Sequence, residues 1–398
     1  MHLLLLASLL AAPQQNGYPR QETPNTRGTQ GRPSSWSFDG KAGGGFTYDS
    51  NVWLLDGGQQ DRLDADRPSD QVSGRFNDME SVDDIIFTPD LRLEVKGPSP
   101  LGRRLSVYFD LEYPFYTQNG NRSHLDLGLG LAQGVGARGT LELSFGFVPE
   151  FFRKNYLADA VDADGDGDIA SDERIYEDGT YREWEIALEY RHKLVDSTAQ
   201  QPFGLVGAVA LGLRDRTYDS PFDGHDEDAP FLELGLRFAY GPKVTWGIKY
   251  RYEAIDTPTE QEVVLIDEVA LGQNVNGDAF ITNDARTVTA VDRSRIEHRI
   301  GLSFGYQLSP TVEAEISYVR LLREFDSGES LDFAHAGRED TRDEFGIELK
   351  IALAKGWSGR VGWEWREQHT DRPEEPGESG GTVDYKRNLF FVSAVYHW

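Results

Sequence analysis

From about residue 41 to the C-terminus, apolar and polar residues alternate one by one in segment after segment. Leu105, Val107, Phe109, Leu111 and Tyr113 alternate with Arg104, Ser106, Tyr108, Asp110 and Glu112, and Leu125–Leu131 alternates with His124, Asp126, Gly128 and Gly130. A period of two puts successive side chains on opposite faces of a strand, whereas a helix repeats every three to four residues. The pattern recurs in 141–147, 184–190, 203–213, 232–240, 244–252, 300–306, 312–318, 345–353, 361–365 and 390–398. With 41–54 and 84–96 it predicts about fourteen strands, within about two either way.

The connections sort by parity. After even strands they are short, at 97–102, 132–137, 195–202, 241–242, 309–310 and 355–357. After odd strands they are long and acidic, at 55–83, 149–180, 215–228, 256–292, 324–340 and 370–384, with only 114–120 brief. A soluble sandwich has no reason to segregate its loops this way. An all-β transmembrane antiparallel up-and-down barrel does, with short periplasmic turns, long extracellular loops and both termini periplasmic. Aromatics agree with that direction. Tyr113, Phe147, Trp184, Tyr252, Tyr318 and Trp365 fall at one rim, and Tyr240, Trp246, Tyr306, Trp357, Tyr396 and Trp398 at the other. Amphipathic rings favour both membrane–water boundaries.

Composition narrows the picture. The chain has no cysteine, which removes disulfides and thiolate chemistry, and its net charge of −27 argues against a nucleic-acid partner. Residues 1–12, MHLLLLASLLAA, have the short apolar core and small residues of a secretory signal, although no Lys or Arg precedes the core. Residues 13–40 are then a flexible periplasmic tail, and 41–398 form the barrel domain.

Phe390, Val392, Ala394, Tyr396 and Trp398 alternate to an aromatic last residue. This resembles the C-terminal signal of outer-membrane β-barrels, which implies recognition by the barrel-assembly machinery. Phe46-Thr-Tyr48-Asp49-Ser50-Asn51-Val52-Trp53 is similar to the opening strand of β-barrel porin families. That resemblance implies a channel and supplies no catalytic residue.

If one parity faces lipid, the other carries charges of both signs into the interior, among them Arg92, Glu112, Glu189, Glu233, Arg251, Arg299 and Glu344. Isolated charges do not sit in a dry core, so a hydrated pore or a ladder of paired charges is expected. The pore reading gives a conduit for small hydrophilic solutes or an exported polymer, with a mild preference for cations. The rival is a structural or surface-adhesion barrel without transport. A rim hydrolase is a third class. Its visible anchors are only Asp83-Asp84 and His225-Asp226, and none of the eight histidines has a serine two residues later.

The sharpest motif is Asp162-Ala-Asp164-Gly-Asp166-Gly167-Asp168-Ile-Ala-Ser-Asp172-Glu173. It resembles the calcium loop of an EF-hand, with carboxylates at positions one, three and five and a glycine at the sharp turn. Asp168 would offer its carbonyl and Glu173 a bidentate carboxylate, so Asp162, Asp164, Asp166, Asp168 and Glu173 are the expected Ca²⁺ ligands. The flanks read as strand, so the expectation is a structural ion in an external loop. Residues 263–271, unusually apolar, would either fold inward to constrict the pore or extend a strand.

Overall fold

In the computed structural model, residues 35–66, 76, 78–99, 103–161, 174–197, 201–267, 284–328, 332, 335–371 and 384–398 are described. The strands are β1 (Ser37–Asp49), β2 (Asp84–Pro98), β3 (Arg104–Glu112), β4 (Phe115–Tyr116), β5 (Asp126–Val135) and β6 (Gly139–Ala160). They continue with β7 (Arg174–Val195), β8 (Phe203–Tyr218), β9 (Glu227–Tyr240), β10 (Val244–Ile255), β11 (Glu260–Asp267) and β12 (Asp284–Val291). The last are β13 (Arg295–Ser309), β14 (Val312–Phe325), β15 (Glu339–Ala352), β16 (Trp357–Asp371) and β17 (Tyr385–His397). One helix, α1 (Gly57–Asp66), lies in the first long connection.

Fourteen long antiparallel strands follow one another around a closed barrel. The two-residue β4 adds to β2, and β11 and β12 form a separate hairpin. Closure is made by β1, which pairs with both neighbours: Phe46 stands opposite Phe87 of β2 and Val392 of β17. At the end of that seam Gly40 N donates to Trp398 O at 3.2 Å and Trp398 N to Gly40 O at 3.0 Å. Both ends of the barrel domain therefore lie at the end that carries the short turns.

The alternation now has a physical meaning. Outward side chains such as Leu129 and Leu211, 52% and 61% exposed, cover the barrel wall with apolar surface that no protein partner buries. So much exposed hydrocarbon is stable only in lipid. No described helix is long and apolar enough to cross a membrane. The crossing elements are the strands. At the turn end Trp357 packs beside Tyr396 at 5.2 Å, and Trp246 stacks on Phe238 at 3.8 Å.

The strands are longer at the loop end than their alternation predicts. β6 and β7 have 22 residues each, where a membrane needs about 9–11. Most of the segment 149–180, expected as a loop, is thus a ladder continuing above the wall. Shifts of register between Val148 and Phe151 and between Phe152 and Lys154 bend that ladder. β1 begins at Ser37, inside the segment expected as tail. Of the apolar segment 263–271, the part up to Asp267 extends strand structure as β11; the rest lies outside the described residues.

Apolar packing of the globular kind occurs at the loop end. There Val52, Trp53, Leu55, Leu63, Phe76 and Met79 cluster with Ile86, Tyr116 and Phe152. Each such side chain, fully buried, contributes roughly 1.5–3 kcal/mol. α1 enters this cluster through Leu63 and is capped by Asp56, whose Oδ1 accepts from Gln59 N at 2.8 Å. The described part of the first long connection therefore folds as a lid.

Candidate functional site: a two-tier lumen

The inward parity divides the lumen into two tiers. Toward the turn end a vestibule encloses about 390 Å³, and its lining holds eleven carboxylates against four cations. Much of its wall is Gly, Ala and Ser, including Gly128, Ala187, Gly235 and Ser303. Small residues leave the interior of a fourteen-strand barrel unfilled, where longer side chains would occupy it. Aromatic rings in this tier lie flat against neighbouring glycines. A Cβ on Gly130 would fall 2.0 Å from Tyr108 Cζ, and one on Gly212 2.2 Å from Phe231 Cζ. Arginines stack over the rings, Arg92 at 3.9 Å from Tyr108 and Arg251 at 3.7 Å from Phe231. The Tyr108 hydroxyl donates to Glu142 at 2.7 Å.

Toward the loop end the lumen becomes a girdle of buried ion pairs. Arg216 Nε donates to Glu183 Oε2 at 2.9 Å and its Nη1 to Glu227 Oε2 at 3.0 Å. Glu227 is also reached by Arg295 at 2.9 Å, and Arg295 lies 3.2 Å from Glu297. Arg323 links Glu297, at 2.8 Å, to Asp340, at 3.0 Å. Arg342 holds Glu344 at 2.9 Å, Arg366 pairs with Glu364, and Arg387 closes onto Asp49. Register explains the row: Glu183 stands opposite Arg216, Arg216 opposite Glu227, and Arg323 opposite both Glu297 and Asp340.

Arg216, Arg342 and Arg366 are among the largest fully buried side chains. Desolvating one charge costs several kcal/mol, and the girdle offsets this by sharing Glu183, Glu227, Glu297, Asp340 and Glu344 between arginines. These buried side chains narrow the conduit at this level. The inward charges expected from parity are present at both levels: most vestibule acids lean on a basic neighbour along the wall, such as Glu185 on Arg251 at 3.1 Å and Glu233 on Lys249 at 2.8 Å, while the girdle pairs are buried.

Above the girdle lies the lid. Trp53 Nε1 donates to Ser81 O at 2.9 Å and to Asn119 Oδ1 at 3.0 Å. Arg122 is enclosed by Trp53 at 4.6 Å and Phe151 at 5.1 Å, and its Nη1 donates to Arg153 O at 2.9 Å. Burial, with the like charge of Arg387, holds the Arg122 guanidinium below its ordinary pKa.

A second group of connections is laced together beside the lid. Arg293 binds both oxygens of Glu262 and donates to Gly224 O at 3.4 Å. Asp332 accepts from Asp292 N at 3.1 Å and from Ser327 Oγ at 2.8 Å, and sits 2.7 Å from His335 Nδ1. His225 packs edge-on to Tyr156 at 4.4 Å.

The proposed rim pairs have structural partners. Asp84 accepts from Thr117 Oγ1 at 2.8 Å and from Asn119 N at 2.8 Å, which ties two connections together. Asp226 accepts from Tyr218 N at 2.6 Å, and His225 lies among rings. Asp83 accepts from Ser81 Oγ at 2.6 Å and from the Tyr48 hydroxyl at 3.1 Å. The residues expected to bind calcium, Asp162, Asp164, Asp166, Asp168 and Glu173, lie outside the described residues, between Ala160 and Arg174, the last pair of the β6–β7 ladder. Among the described residues no group of three or more His, Asp or Glu side chains could hold a metal. The lid takes in residues 52–54, which the alternation assigns to the first strand; β1 ends at Asp49, and Val52, Trp53 and Leu55 turn into the apolar cluster instead.

No family model matches the chain, and no curated protein does. Among solved structures it is similar to the outer-membrane channel DcaP of Acinetobacter baumannii. Identity there is 11%, with 92% of this chain and 97% of that chain covered and a TM-score of 0.42. It is also similar to the toluene transporter TodX of Pseudomonas putida, at 10% identity, 92% and 90% coverage, and a TM-score of 0.41. For an anion-selective porin from Comamonas acidovorans the values are 11%, 92%, 99% and 0.36.

Proposed function

We propose that the chain is a porin-like conduit of the bacterial outer membrane, with both termini periplasmic and its lid facing outward. Its substrate class is small hydrophilic solutes, cations preferentially. The observation that carries this reading is the vestibule, whose lining sets eleven carboxylates against four cations on a wall of small residues. Such a wall concentrates cations, because low-dielectric surroundings focus the field of its charges. An exported polymer fits less well, since it would have to displace the whole girdle. β17, with its outward Phe390, Val392 and Tyr396, is the segment offered to the assembly machinery. A Ca²⁺ ion held by Asp162, Asp164, Asp166, Asp168 and Glu173 would stiffen the tip between β6 and β7.

Planar-bilayer conductance with a salt gradient tests the reading. Wild-type protein, or protein lacking 52–81, should conduct with a cation-selective reversal potential, and Glu112→Gln with Asp126→Asn should shift that potential toward zero. If neither form conducts, the channel reading fails. The packed girdle favours one rival, a structural or adhesive barrel. That rival predicts silence in both forms, with loss of surface binding when the lid is removed.

A further inference from the structure

Where the vestibule meets the girdle, one arginine does not join the ion-pair row. Arg299 on β13 is 8% exposed, and its Nη1 has no hydrogen-bond partner. Among the described residues it makes no salt bridge, although the arginines around it all do. The charges that act on it are those of Arg342, Glu344, Glu297 and Arg251. Both carboxylates are already committed, Glu344 to Arg342 at 2.9 Å and Glu297 to Arg295 and Arg323 at 3.2 and 2.8 Å.

The backbone brings a second arginine into the same row. Leu321 of β14 stands opposite Arg299 on one side and Arg342 on the other. Two guanidinium groups thus flank a single buried leucine, which is 1% exposed. Arg342 spends Nε on Glu344, while its Nη2 is buried without a partner. Arg366, one strand further, has an unpartnered Nη1. Directly beneath this row Gly301, Val319 and Glu344 form part of the vestibule lining.

Glu344 is held by Arg342, so Arg299 has no carboxylate of its own, and Arg299 Nη1 and Arg342 Nη2 are both left with unused donors. A planar guanidinium presents paired donors that match a carboxylate or phosphate edge. We propose that the ceiling of the vestibule is an oxyanion site, in which Arg299 and Arg342 together bind the carboxylate or phosphate group of a solute. The site deepens the channel reading, on which it rests only for access. Cations concentrate along the acidic wall, and the arginine ceiling holds the anionic end, so zwitterionic solutes match both tiers. The girdle pairs narrow the lumen above this point, so a solute entering from the turn end meets the site before the narrowest part.

The test uses the whole barrel in detergent, with inorganic phosphate and acetate as separate probes and tetramethylammonium as the cation control. Calorimetry should show saturable phosphate or acetate binding, weakened at least about tenfold by Arg299→Gln and by Arg342→Gln. Which of the two anions binds tells a phosphate from a carboxylate solute. Because Arg299 is unpaired, Arg299→Gln in anion-poor buffer should unfold no earlier than wild type, while Arg323→Gln, which breaks two pairs, should unfold earlier. No saturable anion heat in the wild type overturns the site. So does undiminished binding in folded Arg299→Gln, or a loss of stability there equal to that of Arg323→Gln. Conductance without anion binding would remove the site and leave the channel; anion binding in a barrel that never conducts would do the reverse.

Discussion

Arg387 of β17 reaches across the barrel seam to Asp49 of β1, with Nε 2.8 Å from Oδ1 and Nη2 on Oδ2, and the pair is buried to 2% and 0% exposure. The two residues are 338 positions apart and join the last strand to the first. Asp49 Oδ1 also accepts from Asn51 N at 3.0 Å, where the chain leaves β1 for the lid. A fork-to-carboxylate pair in this position couples closure of the barrel to the start of the lid. Removing one partner leaves a buried charge, which costs about 3–5 kcal/mol. Asp49→Ala should therefore lower the temperature at which the folded barrel loses its fast gel mobility. Asp49→Ala with Arg387→Met should recover much of that loss, and a double variant no better than the single one would show that the pair does not hold the seam.

A second prediction concerns pH. Burial, followed by the charges of Arg293, Arg153, Lys154 and His335, holds His225 well below the usual histidine pKa. His335 is also lowered, chiefly by burial, although Asp332 opposes the shift. Other groups around His225 are Tyr156 and Tyr218 against its ring, the flanking Asp223 and Asp226, and Glu260 and Glu262 beside Gly224. A histidine that is neutral when packed and free to protonate when released stabilises the closed form above about pH 6.5. Below that value the open form binds the extra proton, so closure weakens as pH falls. Protection factors for hydrogen exchange at 219–226 and 256–262, corrected for the intrinsic pH dependence, should be high at pH 8 and lower at pH 5. His225→Phe keeps the ring and should reduce the difference, leaving the part due to His335; equal acid sensitivity in that variant would rule out His225 as a proton acceptor.

Those two relationships differ in how far the sequence announces them. Within the membrane, lipid on one side and water or charge on the other impose a strict period of two, so Leu127 to Leu131 and Phe390 to Tyr396 read directly as wall. Parity of loop length then orders the strands. Above the membrane that contrast vanishes. The outer part of β6, Arg153 to Ala160, has solvent or neighbouring loops on both faces, and its bulges break the period. The ladder there consequently reads as loop. Trp53, Arg122 and Phe152 meet across about 100 residues of sequence, and no local pattern announces that contact. Likewise Arg299 looks like every other inward arginine in the sequence. Only the partners of its neighbours show that it has been left without one.

The vestibule wall offers a steric test. Tyr108 lies across Gly130, where a Cβ would stand 2.0 Å from the ring carbon and so cannot be accommodated. Gly130→Val should turn the ring into the lumen, breaking its hydrogen bond to Glu142 and its stack with Arg92. Overpacking of this kind costs about 1–3 kcal/mol. Gly146→Ala, on the same wall with nothing within 4 Å of the added carbon, is the control. The valine variant should have lower conductance and lower stability, and the alanine variant neither. Equal behaviour of the two would mean that Tyr108 does not lie against the wall.

The last prediction is for the tip of the β6–β7 ladder, which ends at Ala160 opposite Arg174. Twelve residues between them, 162–173, repeat the ligand spacing of a calcium loop, and six acids so close together repel one another unless a cation joins them. An ion there would hold together the ends of two strands that rise well above the membrane, and β6 also carries Phe151 and Phe152, which pack under the lid. Loss of the ion should thus loosen the tip first and leave the barrel wall intact. Calorimetry in detergent should detect one Ca²⁺ site, of Kd on the order of 10⁻⁵–10⁻³ M, the range of sensor and extracellular loops. Asp162→Ala or Glu173→Ala should abolish it, and chelation should hasten proteolysis between 160 and 174 without changing the barrel's heat-modified mobility. Absence of binding heat, together with a cleavage rate that ignores calcium, would reduce the motif to an acidic turn.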